Sequence, residues 1–232
     1  MSHILLIDTS VETGMVGLSK DNIVLQVLYS GAAKEHASFL QPAIQRLLTE
    51  TGTALSTIDA VAVTAGPGSY TGLRVGMASA KGLCYALGIP LITLNTLETM
   101  AASAVFTYQG DPKYSNSYFC PMIDARRMEV FTAVYSSEME MMIPCGNMVL
   151  TETSFDDQLN AKNLVFFGTG AKKWQEICIH PNAVFQQLSL RPEAMAELAN
   201  RQFEQKNYAS LAHSGPVYLK DVYINSEKYK KN

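Results

Sequence analysis

Four short constellations in this 232-residue chain hold residue types able to do chemistry. Asp8-Thr9-Ser10 puts a carboxylate and two hydroxyls at the end of an apolar run. Ala65-Gly66-Pro67-Gly68-Ser69-Tyr70-Thr71-Gly72-Leu73-Arg74-Val75-Gly76, with Ala80-Lys81-Gly82 beyond it, is a glycine-rich turn after a second apolar run. Asp124-Ala125-Arg126-Arg127 closes a third run, and Gly168-Thr169-Gly170 a fourth. A strand-end carboxylate suits the orientation of water and magnesium in phosphoryl transfer. A glycine-rich turn lets a phosphate, a ligand or another chain approach the backbone closely.

The familiar motifs do not fit. A P-loop needs two glycines with four residues between them, then Lys and Ser or Thr; Gly68 and Gly72 have the wrong spacing, and Leu73-Arg74 follows. In the dinucleotide fingerprint a third glycine stands where this chain has Thr71. Ser69 lacks the Gly-x-Ser-x-Gly setting of a nucleophile, and His3, His36, His180 and His213 each stand alone. Cys84, Cys120, Cys145 and Cys178 form no CxxC pair, which points to reduced thiols rather than a metal or redox centre. No catalytic or metal-ligating set emerges.

The elements that must position these residues read as βββαβαβα. Strands fall at His3–Asp8, 14–19 and Ile23–Tyr29, then a helix at 35–49, a strand at 60–63 and a helix at 73–87. A strand at 91–94 and a helix near 97–106 follow the stop Gly88-Ile89-Pro90. Polar residues 108–117 mark a boundary, and the pattern then restarts. Strands are expected at Tyr118–Asp124, Glu129–Tyr135, 138–143 and 163–167, with helices near 155–159, 171–178 and 192–205. The reading is an α/β protein of two lobes, 1–107 and 108–232, each a mixed sheet flanked by helices, with a tail from about residue 215 returning to the first lobe. Asp8 and Asp124 would face the cleft between the lobes, although each alone is equally a turn former or helix cap.

Net charge is −3 and hydrophobic content 47%, which suits a well-cored protein without the basic surface of a nucleic-acid binder. Arg126, Arg127, Lys172 and Lys173 read as a solvated face. The chain shows no signal peptide and no apolar run of spanning length, so a cytoplasmic protein without a membrane partner is expected.

Gly72, Gly76 and Ala80 fall at i, i+4 and i+8, a row of small residues on one helix face. Each helical glycine costs about 1 kcal/mol against alanine. The row is therefore expected to admit a close neighbour, either the lobe's own sheet or a docking surface shared with Phe39, Ala43, Arg46, Leu73 and Met77.

Ile7-Asp8-Thr9-Ser10, the segment from Gly66 to Gly76, Ala80-Lys81-Gly82-Leu83 and Ile89-Pro90-Leu91-Ile92 together resemble the bacterial TsaB (YeaZ) family. The strong match covers roughly the first hundred residues. Met122-Ile123-Asp124-Ala125-Arg126-Arg127 and Pro216-Val217-Tyr218-Leu219 extend it. The resemblance implies the actin-like ATPase fold (ribonuclease H-like, with hexokinase and sugar-kinase relatives). It implies a non-catalytic subunit in the machinery that puts threonylcarbamoyl on the tRNA adenosine beside the anticodon.

The partner so implied is a TsaD-type catalytic paralogue, gripped by a four-helix interface, with a TsaE-type ATPase in the same machinery and a homodimer when alone. Contact with tRNA would come only through the complex. The paralogue carries a metal-binding His-x-x-x-His, and Thr96 and Met100 occupy those two positions in Asn95-Thr96-Leu97-Glu98-Thr99-Met100. A threonine hydroxyl and a thioether cannot replace two imidazoles for a hard or borderline ion. No cofactor is expected to bind tightly. ATP is left at the subunit junction or weakly in the cleft, near Asp8, Thr9, Ser10, Asp124, Gly168 and Gly170. The alternatives are a weak ATPase or phosphotransferase, and a glycoprotease-like peptidase.

Overall fold

The computed structural model describes residues 2–31 and 35–220. Its first sheet has the order β3-β2-β1-β4-β5. It comprises β1 (His3–Asp8), β2 (Met15–Lys20), β3 (Ile23–Tyr29), β4 (Ala60–Gly66) and β5 (Leu91–Asn95). Strand β1 runs antiparallel to β2 and parallel to β4. The β2–β3 hairpin turns on Asp21 and Asn22, both left-handed, as a two-residue hairpin requires.

The second sheet, β10-β9-β6-β7-β8, repeats that plan. Its strands are β6 (Tyr118–Asp124), β7 (Glu129–Tyr135), β8 (Met141–Val149), β9 (Leu164–Phe167) and β10 (Ala183–Phe185). Here β6 is antiparallel to β7 and parallel to β9, the counterpart of β1 between β2 and β4. Two mixed sheets of matching order, each flanked by helices, form the actin-like ATPase fold.

Alternation along β1 divides the first core in two. Leu5 and Ile7 pack with α1 (His36–Thr51) and α2 (Tyr70–Leu87) through Leu40, Ile44, Leu47 and Met77. Ile4 and Leu6 point the other way, to Met195, Ala196 and Leu198 of α6 (Pro192–Glu204). In the second sheet Phe119, Val165 and Phe167 pack on Leu97, Met100 and Ala104 of α3 (Thr96–Tyr108). Its opposite face packs on α4 (Asp156–Ala161) and α5 (Ala171–Gln175) through Leu159 and Trp174. A boundary at 107/108 thus separates the sheets but not the packing. Helix α3 lies on the second sheet, α6 lies on the first, and the two helices touch each other.

Helix α2 begins three residues earlier than its apolar spacing predicts, because Ser69 caps it by accepting the Gly72 N–H at 3.2 Å. Tyr70, Thr71 and Gly72 are therefore its first turn, and the glycine loop shrinks to Gly66-Pro67-Gly68. The small-residue row on this helix faces inward. Gly72, Gly76 and Ala80 are buried, together with Leu73, Met77 and Ala43. A Cβ on Gly72 would strike the Thr9 carbonyl oxygen, and one on Gly76 the Thr9 hydroxyl. The close neighbour is this chain's own β1 turn, so these six residues cannot form a docking surface.

Of the expected contact set only Arg46, exposed, and Phe39, half-buried, remain accessible. The outward face of α2 carries another small row, Ala78, Gly82 and Ala86, beside Tyr85 at 84% exposure. The two rows predict opposite responses to one substitution. Gly76→Ala should destabilise the fold by about 1–3 kcal/mol through overpacking. Gly82→Ala, whose Cβ meets open space, should stabilise it by about 0.5–1 kcal/mol. Thermal melts of the two variants give the comparison.

Candidate functional site

Asp8 ends β1 at 1% exposure. Its Oδ1 accepts three hydrogen bonds: from the Ser10 N–H at 2.9 Å, the Ser10 hydroxyl at 2.6 Å and the Thr64 hydroxyl at 2.5 Å. Thr9 is also buried, and its hydroxyl donates to the Gly72 carbonyl at 2.8 Å. The Ser10 carbonyl accepts from the Ser69 N–H at 2.7 Å, and a Cβ on Gly68 would strike that carbonyl. The Asp-Thr-Ser turn and the glycine loop therefore clasp each other. Both hydroxyls expected to face phosphate are engaged inside the protein.

The second oxygen of Asp8, Oδ2, is buried and has no donor. The residue lines a cavity of about 380 Å³ between the lobes. From the second lobe Gly168 and Thr169 line the same cavity. Gly168, with φ +95°, packs against the Met122 carbonyl and the Met100 side chain, and Gly170 against Val130. Their missing side chains admit protein atoms.

Asp124 does not join Asp8. It lines a different cavity, of about 680 Å³, with Gly68, Tyr70, Arg126, Arg127, Tyr218 and Lys220. Its carboxylate accepts from the Lys173 ammonium at 2.8 Å and the Arg126 N–H at 2.6 Å. Burial pushes the carboxyl up, but the Lys173 and Arg126 contacts outweigh burial and hold it below its ordinary range. The expectation of two aspartates facing one cleft is corrected: strand ends in equivalent positions open into separate spaces.

Residues 214–220 run across the seam. The Val217 N–H donates to the Ala65 carbonyl at 2.7 Å, and the Val217 carbonyl lies where a Gly66 side chain would be. At Gly66, with φ +121°, only glycine meets both demands. The Lys81 ammonium donates to the Ser214 carbonyl at 2.8 Å. Tyr218 packs on Tyr70 with the rings tilted at 36° and 5.1 Å between ring centres, and its hydroxyl accepts from Arg74 Nε at 3.0 Å. Lys220 reaches Glu129 in the second lobe at 2.6 Å and holds that carboxyl below its usual range. The tail expected to return to the first lobe from about residue 215 thus lies on it through Ser214, Val217 and Tyr218, and touches the second lobe through Lys220.

Thr96 and Met100 sit on the buried side of α3, at 0% and 7% exposure, and the Thr96 hydroxyl is unpartnered. Among the described residues no group of His, Cys, Asp and Glu could hold a metal ion. The four cysteines are free. Burial pushes the Cys84 thiol up to about 11 and the Cys120 thiol to about 12. Among the described residues no helix is long and apolar enough to cross a membrane.

The paired sheets and the carboxylate at the end of β1 define a protein of the actin-like class, with its β1 turn closed on itself. Comparison with known proteins narrows the class. The family model described as TsaD, tRNA N6-adenosine threonylcarbamoyltransferase, matches residues 27–223. The tRNA threonylcarbamoyladenosine biosynthesis protein TsaB of Escherichia coli K12 is 31% identical over 229 residues, covering 94% of this chain and 95% of that protein. Its Haemophilus influenzae counterpart is 28% identical over 94% of this chain and 93% of its own. The solved structure of YeaZ from Pseudomonas aeruginosa superposes with a TM-score of 0.75 at 28% identity, over 94% of this chain and all of that one. This chain belongs to the TsaB (YeaZ) family.

The clasp and the strap yield separate predictions. Thr64→Val removes one of three donors to a buried carboxylate oxygen and should cost about 1–3 kcal/mol in urea unfolding. Tyr218→Ala should leave global stability nearly unchanged yet speed tryptic cleavage after Lys220 several-fold, as followed by mass spectrometry.

Proposed function

We propose that this chain is a non-catalytic subunit that binds and activates a TsaD-type threonylcarbamoyltransferase in the modification of the tRNA adenosine beside the anticodon. The observation that carries this reading is the inward packing of Thr96 and Met100. The helix positions at which the paralogue would carry a metal-binding pair hold a hydroxyl and a thioether here, both buried. The names of the relatives and of the matching family model agree with the pathway.

The docking face proposed is the outward side of α1 and α2. It combines the row Ala78, Gly82 and Ala86 with Tyr85, Arg46 and Phe39. Beside it lies a groove lined by Pro42, Gln45, Leu48, Thr49 and Leu83. Small residues let a second helix pair approach closely, and a nearly fully exposed tyrosine is a common energetic anchor of interfaces. The same face would serve a homodimer in the partner's absence. A TsaE-type ATPase belongs to the proposed assembly, ATP is assigned to the subunit junction, and tRNA is reached only through the complex, in the cytoplasm.

Tyr85→Asp tests the reading, because it changes an exposed side chain without touching the core. Complex formation with the paralogue, measured by calorimetry, should weaken by about 2 kcal/mol or more. Stimulation of threonylcarbamoyl transfer should fall with it while the melting temperature holds. Undiminished binding by this variant would remove α2 from the interface, and transfer activity by the isolated chain would overturn the non-catalytic assignment.

A further inference from the structure

The turn between β6 and β7 carries two arginines where the backbone favours glycine or asparagine. Arg126 and Arg127 hold φ +68° and +51°, left-handed values that are unfavourable for a long side chain. The β2–β3 turn uses Asp21 and Asn22 at comparable φ values, short residues that tolerate them. Both arginines are exposed and line the cavity of about 680 Å³ at the seam, with Tyr70, Tyr218 and Lys220. Arg74 lies over the Tyr70 ring at 4.1 Å and donates to the Tyr218 hydroxyl. The carboxylates on this wall are taken by lysines, Asp124 by Lys173 and Glu129 by Lys220. The guanidinium groups of Arg74, Arg126 and Arg127 have no ion-pair partner among the described residues. Five cations thus gather around two carboxylates at one place on a chain of net charge −3.

We infer that this seam cavity is where the chain itself contacts RNA within the assembly. Arg126 and Arg127 engage neighbouring phosphates of the sugar–phosphate backbone, and Arg74 adds a third cation. Tyr70 and Tyr218, each 42% exposed, offer ring surface to a sugar or a base. The occupant is a polyanion rather than a single small anion. Its cations come from three separate segments, α2, the β6–β7 turn and the strap, and the arginines lie exposed along a wall instead of converging on one buried point. Unfavourable backbone at two adjacent residues persists where a function requires their side chains. The inference rests on the proposed role in tRNA modification. None of the docking-face residues on the outer side of α1 and α2 lines this cavity, so the RNA contact can fail while the docking face stands.

The test uses the complex of the full-length chain with its TsaD-type paralogue, titrated into a fluorescent, unmodified tRNA transcript and followed by anisotropy at several salt concentrations. Arg126→Gly combined with Arg127→Gly relieves the left-handed backbone. Its melting temperature should hold or rise, whereas a purely structural pair would lose stability. RNA affinity should fall at least about tenfold, and the slope of log affinity against log salt should flatten by about two, one for each lost phosphate contact. Arg126→Gln with Arg127→Gln, which keeps side-chain bulk, should weaken RNA binding to the same degree. Affinity for the paralogue, measured by calorimetry, should stay unchanged in both double variants. Lys113→Gln, outside the cavity, should shift RNA affinity by less than about twofold. Unchanged RNA affinity in the double variants, RNA binding by the paralogue alone as tight as by the complex, displacement of the transcript by micromolar magnesium-ATP, or loss of paralogue affinity together with RNA affinity would each overturn the inference. Failure of the natural chain to join the paralogue would overturn the proposed function and this inference with it.

Discussion

The seating of α2 against the end of β1 is the contact on which the rest of the first lobe depends. Thr9 donates to the Gly72 carbonyl, Ser10 accepts from the Ser69 N–H, and Gly68, Gly72 and Gly76 leave no side chain between the two backbones. A helix held this closely has a fixed rotation about its own axis. That rotation sends Leu73, Met77, Ala80 and Cys84 into the sheet and leaves Ala78, Gly82, Tyr85 and Ala86 outside. The same turn fixes the Asp8 carboxylate with one oxygen tied and the other bare. The outer helical face and the inner cavity are thus two results of one close approach.

The polar atoms at the two strand ends are largely engaged within the chain. Strand-end carboxylates in open α/β sheets commonly serve a ligand beyond the sheet. Here the neighbouring hydroxyls bind the protein itself, and Asp124 is occupied by Lys173. The space beyond Asp8 is walled largely by methionine, leucine and phenylalanine, and no lysine, arginine or histidine lines it among the described residues.

Much of the fold was readable from pattern. The bounds of β1, β3, β6 and β7 agree with the sequence reading, because apolar alternation there ends in clear turns. Strand β8 was placed too early, since Pro144 and Gly146 break its alternation. Three-residue β10 gave no signal of its own. The glycine row was noticed, but its direction was not legible. Two rows at the same spacing, 72-76-80 and 78-82-86, lie on one helix, and only tertiary contact distinguishes them. In the structure Leu73, Met77 and Cys84 are buried beside the first row. The exchange of α3 and α6 between sheets was equally hidden, because amphipathic spacing shows that a helix is covered on one side and not by which sheet.

That exchange has a consequence for synthesis. The face of the first sheet bearing Ile4 and Leu6 is closed by α6, whose residues lie nearly two hundred positions downstream. A polypeptide emerging from the ribosome exposes this greasy surface throughout most of translation, and the strap at 214–220 emerges later still. The first lobe therefore cannot mature as an independent N-terminal unit ahead of the rest. The nascent protein must be guarded against aggregation until its far end arrives, and a prematurely terminated product would be sticky rather than merely shorter.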